Sequence, residues 1–579
     1  MIKLLRFMKP YRLALTLVLV LAFIQSMANL YLPTLMADIV DKGIVNNDTG
    51  YIWRTGGWML LVTIGGTIAA IIGSFYAART ATGFGKIIRG KIFNHVEQFS
   101  LHEFDKVSTA SLITRTTNDT TQVQQALIVT LGFMVTAPMM LIGGIILAVN
   151  QDATLSWILV VIIPLLVGVI VLLMTKAIPL FRVIQLKLDK LNLILDEGLT
   201  GVRVVRAFDR VKYEEQRFDE ANLDLTDVAI RVNRMIASLF PVMMLVVNVS
   251  SIAILWFGSI RVNNGDMQVG ALIAFLQYAM QILFALLMVS MLFILLPRSF
   301  ASADRINEVL AIQPEITDAD LVRRADGQKG YVEFQDVTFS YPGAEEPALS
   351  NISFRARPGE VTAIIGGTGA GKSTLVNLIP RFYDVDSGRI LVDGVDVREM
   401  TQEHVREKIG FVPQRAVLFS GTIAQNIRYG KEDASDEEIE HAAAVAQATE
   451  FISDMKDGFD SVIAQGGTNV SGGQKQRLSI ARALVRKPEI YVFDDTFSAL
   501  DFKTDAKLRA ALKEETSEAT VLIVAQRVST VMDADQIIVL DDGRVAGIGK
   551  HRDLMETCEV YREIVSSQLS VAEIAEKIA

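Results

Sequence analysis

Residues Leu155–Met174 read LSWILVVIIPLLVGVIVLLM, twenty positions without a charged side chain. A helix crossing a bilayer needs about 20 mostly apolar residues. It must satisfy its backbone polar groups internally, because lipid offers them no partner. A helix buried in a soluble core is the alternative, but it would not need to be apolar on every side over so long a span. Five more runs of this kind lie near Leu13–Leu32, Trp58–Tyr76, Leu127–Val149, Leu239–Phe257 and Val269–Leu296. The chain is 51% hydrophobic yet 21% charged. These two facts coexist because the apolar runs are confined to the first 300 or so residues.

Charge between the runs gives an orientation. The links after the second and fourth runs are long, about fifty and sixty residues, and basic. The first holds Arg79, Lys86, Arg89, Lys91, Lys106 and Arg115; the second holds eleven Lys or Arg between Lys176 and Arg234. The short links hold Lys42 and Arg54, then none, then Arg261. Positive charge marks the cytoplasmic side, so both termini and both long links are expected there. Apolar residues at helical spacing in FGKIIRGKIFNHVEQFS predict that the spans continue as helices past the bilayer. The opening MIKLLRFMKPY predicts a short basic amphipathic stretch on the inner surface, ending at Pro10. The first run is too long for a cleavable signal peptide. A net charge of −9 argues against a nucleic-acid partner. The single cysteine, Cys558, rules out an intrachain disulfide.

Few polar groups fall inside the runs, mainly Gln25, Asn29, Asn248, Gln277 and Gln281. The sixth run is rich in soft and aromatic side chains: Phe275, Tyr278, Met280, Phe284, Met288 and Met291. These predict helix packing or lipid contact; the functional alternative is a pliable cavity, since methionine repacks around irregular shapes.

The second half reads differently. YVEFQDVTFSY alternates like a strand. VTAIIGGTGAGKSTLVNLI is a buried strand, a glycine loop and a helix. Gly366, Gly371, Lys372 and Ser373 satisfy G-x-x-x-x-G-K-[ST]. Here backbone N–H groups of Gly366–Thr374 (Gly366, Gly367, Thr368, Gly369, Ala370, Gly371, Lys372, Ser373, Thr374) wrap phosphates, Lys372 reaches the terminal ones and the Ser373 hydroxyl binds Mg²⁺. The apolar EIYVFDD supplies a partner strand, with Asp494 at its C-terminal end as the carboxylate for the metal.

With these motifs in place, NVSGGQKQR (Asn469–Arg477) resembles the signature of ATP-binding cassette proteins. FVPQ with Gln414 is similar to their Q-loop, SALD ending at Asp501 to their D-loop, and Tyr341 in FSYPG to their adenine-stacking aromatic. Six spans followed by this cassette resemble one half of an ABC exporter of the multidrug type. The resemblance implies an all-α six-helix transmembrane domain (1–310), a linker (311–329), an α/β P-loop ATPase domain (330–570) and a short tail (571–579). It implies ATP and Mg²⁺, the latter held by Ser373, Gln414 and Asp494. It implies a dimer in which Ser471, Gly472, Gly473 and Gln474 act on the partner's ATP. It also implies coupling helices around Ser100–Lys106 and Gly201–Asp209, and a primary transport ATPase moving a hydrophobic or amphipathic small molecule out of the cell across a bacterial plasma membrane.

Two positions depart from the family's pattern. The residue after the metal aspartate is usually glutamate and polarises the attacking water; here it is Asp495, one methylene shorter. The switch histidine is replaced by Gln526 in VAQRVST. The expectation is a degenerate site that binds ATP but hydrolyses it poorly, in one subunit of a heterodimeric exporter. An importer on the same fold, for instance for siderophores, and an ATP-regulated membrane protein that is not a pump are the alternatives.

Overall fold

A computed structural model describes residues 2–319, 323 and 329–569. The expected tail at 571–579 and linker positions 320–322 and 324–328 lie outside the described residues. The chain divides into two compact units: Met1–Glu97 with Thr109–Ile312, and Gln98–Ser108 with the chain from Gln313 onward.

The first unit holds six long helices: α1 (Arg12–Asp38), α2 (Thr49–Val96), α3 (Thr120–Gln151), α4 (Trp157–Thr200), α5 (Val211–Asn263) and α6 (Val269–Ala311). Among the described residues, six helical stretches are long and apolar enough to cross a membrane. At 48 and 53 residues, α2 and α5 far exceed the crossing length. Their excess is the predicted basic continuation: α2 runs without a break through FGKIIRGKIFNHV. Prolines at 33, 138, 164, 179, 241 and 297 sit inside these helices, where neighbouring helices re-satisfy the freed carbonyls. The basic opening segment is helical, with Leu4 and Met8 buried and Lys3, Arg6 and Lys9 exposed. It does not end at Pro10: a 3-10 turn carries Arg6–Tyr11 straight into α1. Pro10 is the fifth residue of that turn; its fixed φ suits the helical backbone, at the loss of one N–H donor.

The helices associate most extensively as α1 with α2, α3 with α6, and α4 with α5. The aromatic sixth span divides by face. Phe275 and Tyr278 are fully buried against Leu155, Leu159 and Ile254, whereas Phe284 and Met291 are exposed. The Tyr278 hydroxyl lies 2.6 Å from Thr34 Oγ1 and donates to Leu30 O at 3.1 Å, tying α6 to α1.

A second joint ties α3 to α6. The Asp119 carboxylate is almost wholly buried and accepts from Arg305 Nε at 2.8 Å and Nη2 at 2.5 Å, and from Ser302 Oγ at 2.9 Å. Removing one partner of a buried pair strands the other. Because Arg305 is half exposed and can rehydrate, we expect Asp119→Ala to cost about 2–3 kcal/mol rather than the 3–5 of a fully buried pair. Arg305→Lys, which keeps the charge and loses the fork, should cost less. Thermal unfolding of the purified chain in lipid discs measures both; equal melting temperatures for wild type and Asp119→Ala would remove the joint from the fold's supports.

Among the described residues, the second unit contains twelve strands: β1 (Val332–Phe339), β2 (Leu349–Ala356), β3 (Val361–Gly366), β4 (Ser387–Val392), β5 (Val395–Asp396), β6 (Ile409–Val412), β7 (Gly421–Thr422), β8 (Val462–Ile463), β9 (Ile490–Asp494), β10 (Thr520–Val524), β11 (Gln536–Asp541) and β12 (Arg544–Gly549). An antiparallel sheet runs β2-β1-β4-β5, and a mostly parallel one runs β12-β11-β3-β10-β9-β6. In the second sheet both faces are covered. Ala363, Ile365, Tyr491, Phe493, Val521 and Ile523 enter one core; Ile364, Ile490, Val492, Leu522 and Val524 enter the other. That two-sided burial is why these strands read as unbroken apolar runs. The register sets Val524 beside both Asp494 and Ile364, so β9 and β10 end level while β3 runs two residues further to Gly366. In open α/β sheets the crevice beyond such strand ends is where ligands bind.

The segment Gln98–Ser108 packs with this unit. Its helix Leu101–Val107 opens on a capping box between Ser100 and Glu103. Glu103 also accepts from the backbone N–H of Glu315, and His102 Nδ1 lies 3.0 Å from Glu315 Oε2. A second short helix, Val202–Ala207, joins α4 to α5. The two stretches expected to carry coupling helices thus hold short helices.

Candidate nucleotide site

The loop between β3 and α7 (Lys372–Leu378) wraps a cavity of about 300 Å³. Two glycines shape it. Gly369 and Gly371 have φ of +88° and +91°. A Cβ at Gly371 would lie 2.9 Å from Ala348 O and 2.7 Å from Leu349 Cδ2. Only glycine takes that conformation without strain. Thr368, Gly369, Gly371, Lys372, Ser373 and Thr374 line the cavity. Gly366 and Gly367 lie behind it and turn their carbonyls to Lys372 Nζ at 3.0 and 2.6 Å; Ala370 is buried in the core beneath.

Lys372 is nearly buried. Burial pushes its ammonium below the usual lysine range, and the fields of Asp495 and Asp494 oppose that shift. A buried cation facing only carbonyl dipoles and two aspartates suits an anionic ligand. Ser373 Oγ donates to Asp494 Oδ1 at 2.9 Å, which brings the two proposed metal-side groups together. Asp494 is pushed above the usual carboxylate range by burial, partly offset by Ser373.

Tyr341 stands at the cavity's rim, its ring edge-on to Phe339 and Tyr383 and its hydroxyl 3.0 Å from Thr374 Oγ1. It offers a part-exposed aromatic face beside the phosphate loop.

Asp495 follows the end of β9. Its backbone is left-handed (φ 43°, ψ 33°), and its N–H donates to Val524 O at 3.0 Å. This conformation turns the chain sharply, so that two successive aspartates both reach the crevice. Asp495 Oδ2 accepts from Gln526 Nε2 at 2.8 Å and from Gln414 Nε2 at 3.1 Å. Gln526 is itself anchored, because its carbonyl accepts from Gln568 Nε2 at 2.8 Å. Burial raises the Asp495 carboxyl above its ordinary range, opposed by Gln414, Ser498 and the charges of Lys372 and Arg527. Gln414, assigned to the metal from the sequence, here directs its amide N–H to Asp495; its carbonyl oxygen is the atom a metal would need.

Ser471, Gly472, Gly473 and Gln474 do not line this cavity. They open α8 (Gly472–Leu484), where Ser471 Oγ accepts from Gln474 N at 3.3 Å and Gln474 Oε1 accepts from Ser471 N at 2.8 Å. The S-x-x-Q spacing announces that capping box. Asp501 lies at another helix start, capping α9 (Phe502–Glu515) by accepting from Thr504 N at 3.0 Å. That backbone N–H holds its carboxyl below the usual range. Within a single chain the predicted residues therefore fall into a phosphate-loop cavity and two helix N-termini that do not line it.

Six membrane helices and a phosphate-loop α/β unit on one chain define an integral membrane transporter driven by a nucleotide. The family model for the ABC transporter transmembrane region matches residues 15–286, and that for ABC transporter matches residues 349–498. An uncharacterized ABC transporter ATP-binding protein of Mycobacterium tuberculosis (strain CDC 1551 / Oshkosh) is 45% identical over 97% of both chains. The ATP-dependent lipid A-core flippase of Vibrio vulnificus (strain YJ016) is 31% identical over 96% of both. The structure of a bacterial Atm1-family ABC exporter with ATP bound superposes with a TM-score of 0.80 at 25% identity, covering 98% of this chain and 99% of that one. The chain belongs to the ABC transporter family and has the exporter architecture of a half-transporter, a kind that works as a dimer in the membrane.

Proposed function

We propose that this chain is one half of an ATP-driven exporter of hydrophobic or amphipathic compounds. It pairs with a different half-transporter, and the composite site on its own phosphate loop binds Mg-ATP but hydrolyses it slowly. The termini and the helix extensions face the cytoplasm, as the basic links require. Residues Gly366–Thr374 hold the phosphates and Tyr341 stacks on the base. Ser373, Asp494 and the Gln414 carbonyl hold Mg²⁺, which shields phosphate charge when bound.

The observation that carries the slow site is the Asp495 clamp. Basicity is not what the carboxylate lacks, since burial raises its proton affinity. Reach is. A general base must come within about 2.6–3.2 Å of the proton it takes. Asp495 is one methylene short of the family's glutamate, and the oxygen it presents is already held by two amides. A misplacement of about 1 Å costs on the order of a hundredfold in rate. Gln526 is neutral at every pH and brings no charge to the γ-phosphate.

The cargo reading rests on spans whose runs contain no lysine or arginine to pair with an anion. An amphipathic cargo is also consistent with the flippase relative. The test uses the chain purified alone in lipid discs. Its steady-state ATPase should be slow, and Asp495→Glu combined with Gln526→His should raise it about a hundredfold. A wild-type rate already equal to that of the double variant overturns the reading.

A further inference from the structure

A second cavity, of about 380 Å³, lies within the first unit between α1, α2 and α3 and closes against Met288 of α6. It exists because of small residues. Ala22 on α1, Gly73 and Ala77 on α2 and Gly132 on α3 line it with little side-chain bulk. A Cβ at Gly132 would meet nothing within 4 Å, so that position opens directly onto space. The helices still touch beside the hollow, where a Cβ at Gly73 would lie 3.5 Å from Leu21 Cβ, the close approach that small residues allow.

Most of the wall is apolar, and no Asp, Glu, Lys or Arg is among its lining residues. Three polar groups interrupt it, one on each helix: Gln25 on α1, Ser74 on α2 and Thr136 on α3. Among the described residues, neither the Gln25 amide nor the Thr136 hydroxyl is taken up by a hydrogen bond. A glutamine amide at membrane depth without a protein partner is costly unless something else meets it. Ligand pockets are typically hollows of this size, apolar with a few convergent polar groups.

We infer that this hollow is a cargo subsite within a single half-transporter, and that it takes an uncharged, drug-sized amphipathic molecule whose polar group meets Gln25 while its apolar body lies along Gly73, Ala77 and Met288. The absence of a charged lining residue excludes strongly ionic ligands, because a buried charge there would have no partner. The Gln25 amide both donates and accepts, so the polar group is a carbonyl, amide or hydroxyl. Met288 adapts to the outline of the apolar body. This inference rests on the export reading for its biological role, but its test does not use nucleotide.

The probe is Nile red, an uncharged amphipathic dye with a ring carbonyl, titrated by fluorescence into the full-length chain in lipid discs without ATP. Wild type should show saturable enhancement. Gly132→Leu fills the hollow without meeting backbone and should abolish the saturable component. Gln25→Leu keeps the side chain's bulk, removes the polar contact and should weaken binding about tenfold. Gly168→Leu, another exposed glycine with nothing within 4 Å but on α4 and outside the cavity, should leave binding unchanged. No saturable binding by wild type, or equal binding by wild type and Gly132→Leu, overturns the subsite. Loss with Gly132→Leu but no change with Gln25→Leu overturns the ligand class, because the hollow would then hold an apolar tail alone. Since nucleotide is absent, a failed ATPase prediction leaves this result standing, and the reverse holds too.

Discussion

Lys372→Ala is expected to raise the dissociation constant for ATP at this chain's phosphate loop by at least about a hundredfold, and to abolish labelling of the chain by a photoreactive ATP analogue. The size follows from what the ammonium does. Charge-assisted hydrogen bonds contribute about 1.5–3 kcal/mol each, and a single ammonium reaching both terminal phosphates makes more than one. The residue is already desolvated: it is buried, with Gly366 O and Gly367 O as its partners. Exchanging those neutral carbonyls for phosphate oxygens gains attraction without a fresh desolvation penalty. The same two contacts give Lys372 a structural role, so a control is needed. Lys372→Gln keeps a donor near the two carbonyls and removes the charge, and it should lose labelling as fully as alanine while melting at the wild-type temperature. Undiminished labelling in both variants would take the phosphate site away from this loop.

The membrane half was legible because lipid imposes a length and forbids charge, and both leave marks in a linear sequence. The runs at Leu155–Met174 and Val269–Leu296 needed no knowledge of neighbours. Helix ends were less legible. The second apolar run fades near Tyr76, yet α2 continues to Val96, because beyond the bilayer only one face needs to be apolar and the signal drops to a periodicity. Pro10 misled because a proline suggests a boundary, whereas its fixed φ is compatible with a short 3-10 turn that leads on into a helix. The strand order β12-β11-β3-β10-β9-β6 had no sequence signal. With both faces buried, each strand reads as the same apolar run.

Around the site, the phosphate loop was legible because its chemistry is local, four residues at fixed spacing within eight positions. The clamp on Asp495 was not. Gln414, Asp495 and Gln526 lie far apart in sequence, and they meet only because β9 and β10 end level and Asp495 adopts a left-handed turn. The helix start at Ser471 was legible for the same reason as the phosphate loop, because the S-x-x-Q pattern of its capping box is local.

The last expected result concerns the pair. When this chain is purified with a half-transporter carrying glutamate and histidine at the two catalytic positions, substitutions on this chain should divide by site. Asp495→Asn should reduce steady-state ATPase only modestly, by about twofold, because little turnover depends on a carboxylate that cannot reach the water. A lesion at residues 471–474 should be severe, because those residues serve the competent site across the dimer. The choice of lesion matters. Ser471→Ala removes a helix cap as well as a phosphate contact, and a lost cap alone costs about 0.5–2 kcal/mol. A side chain at Gly473 would press on Ala499 O at 3.2 Å. Gly472 is cleaner, because a Cβ there meets nothing within 4 Å, so Gly472→Asp places a negative charge at the start of α8 without disturbing this chain's packing. It sets a carboxylate where a γ-phosphate would sit, and losing one preorganised contact at developing charge costs about 10²–10³ in turnover. The expected pattern is therefore Gly472→Asp as damaging as removing the partner's glutamate, with Asp495→Asn near wild type and photolabelling of this chain retained in all three. If Asp495→Asn is instead as damaging as the partner's lesion, Asp495 is a working base, the two amides position it rather than idle it, and both sites of the dimer turn over.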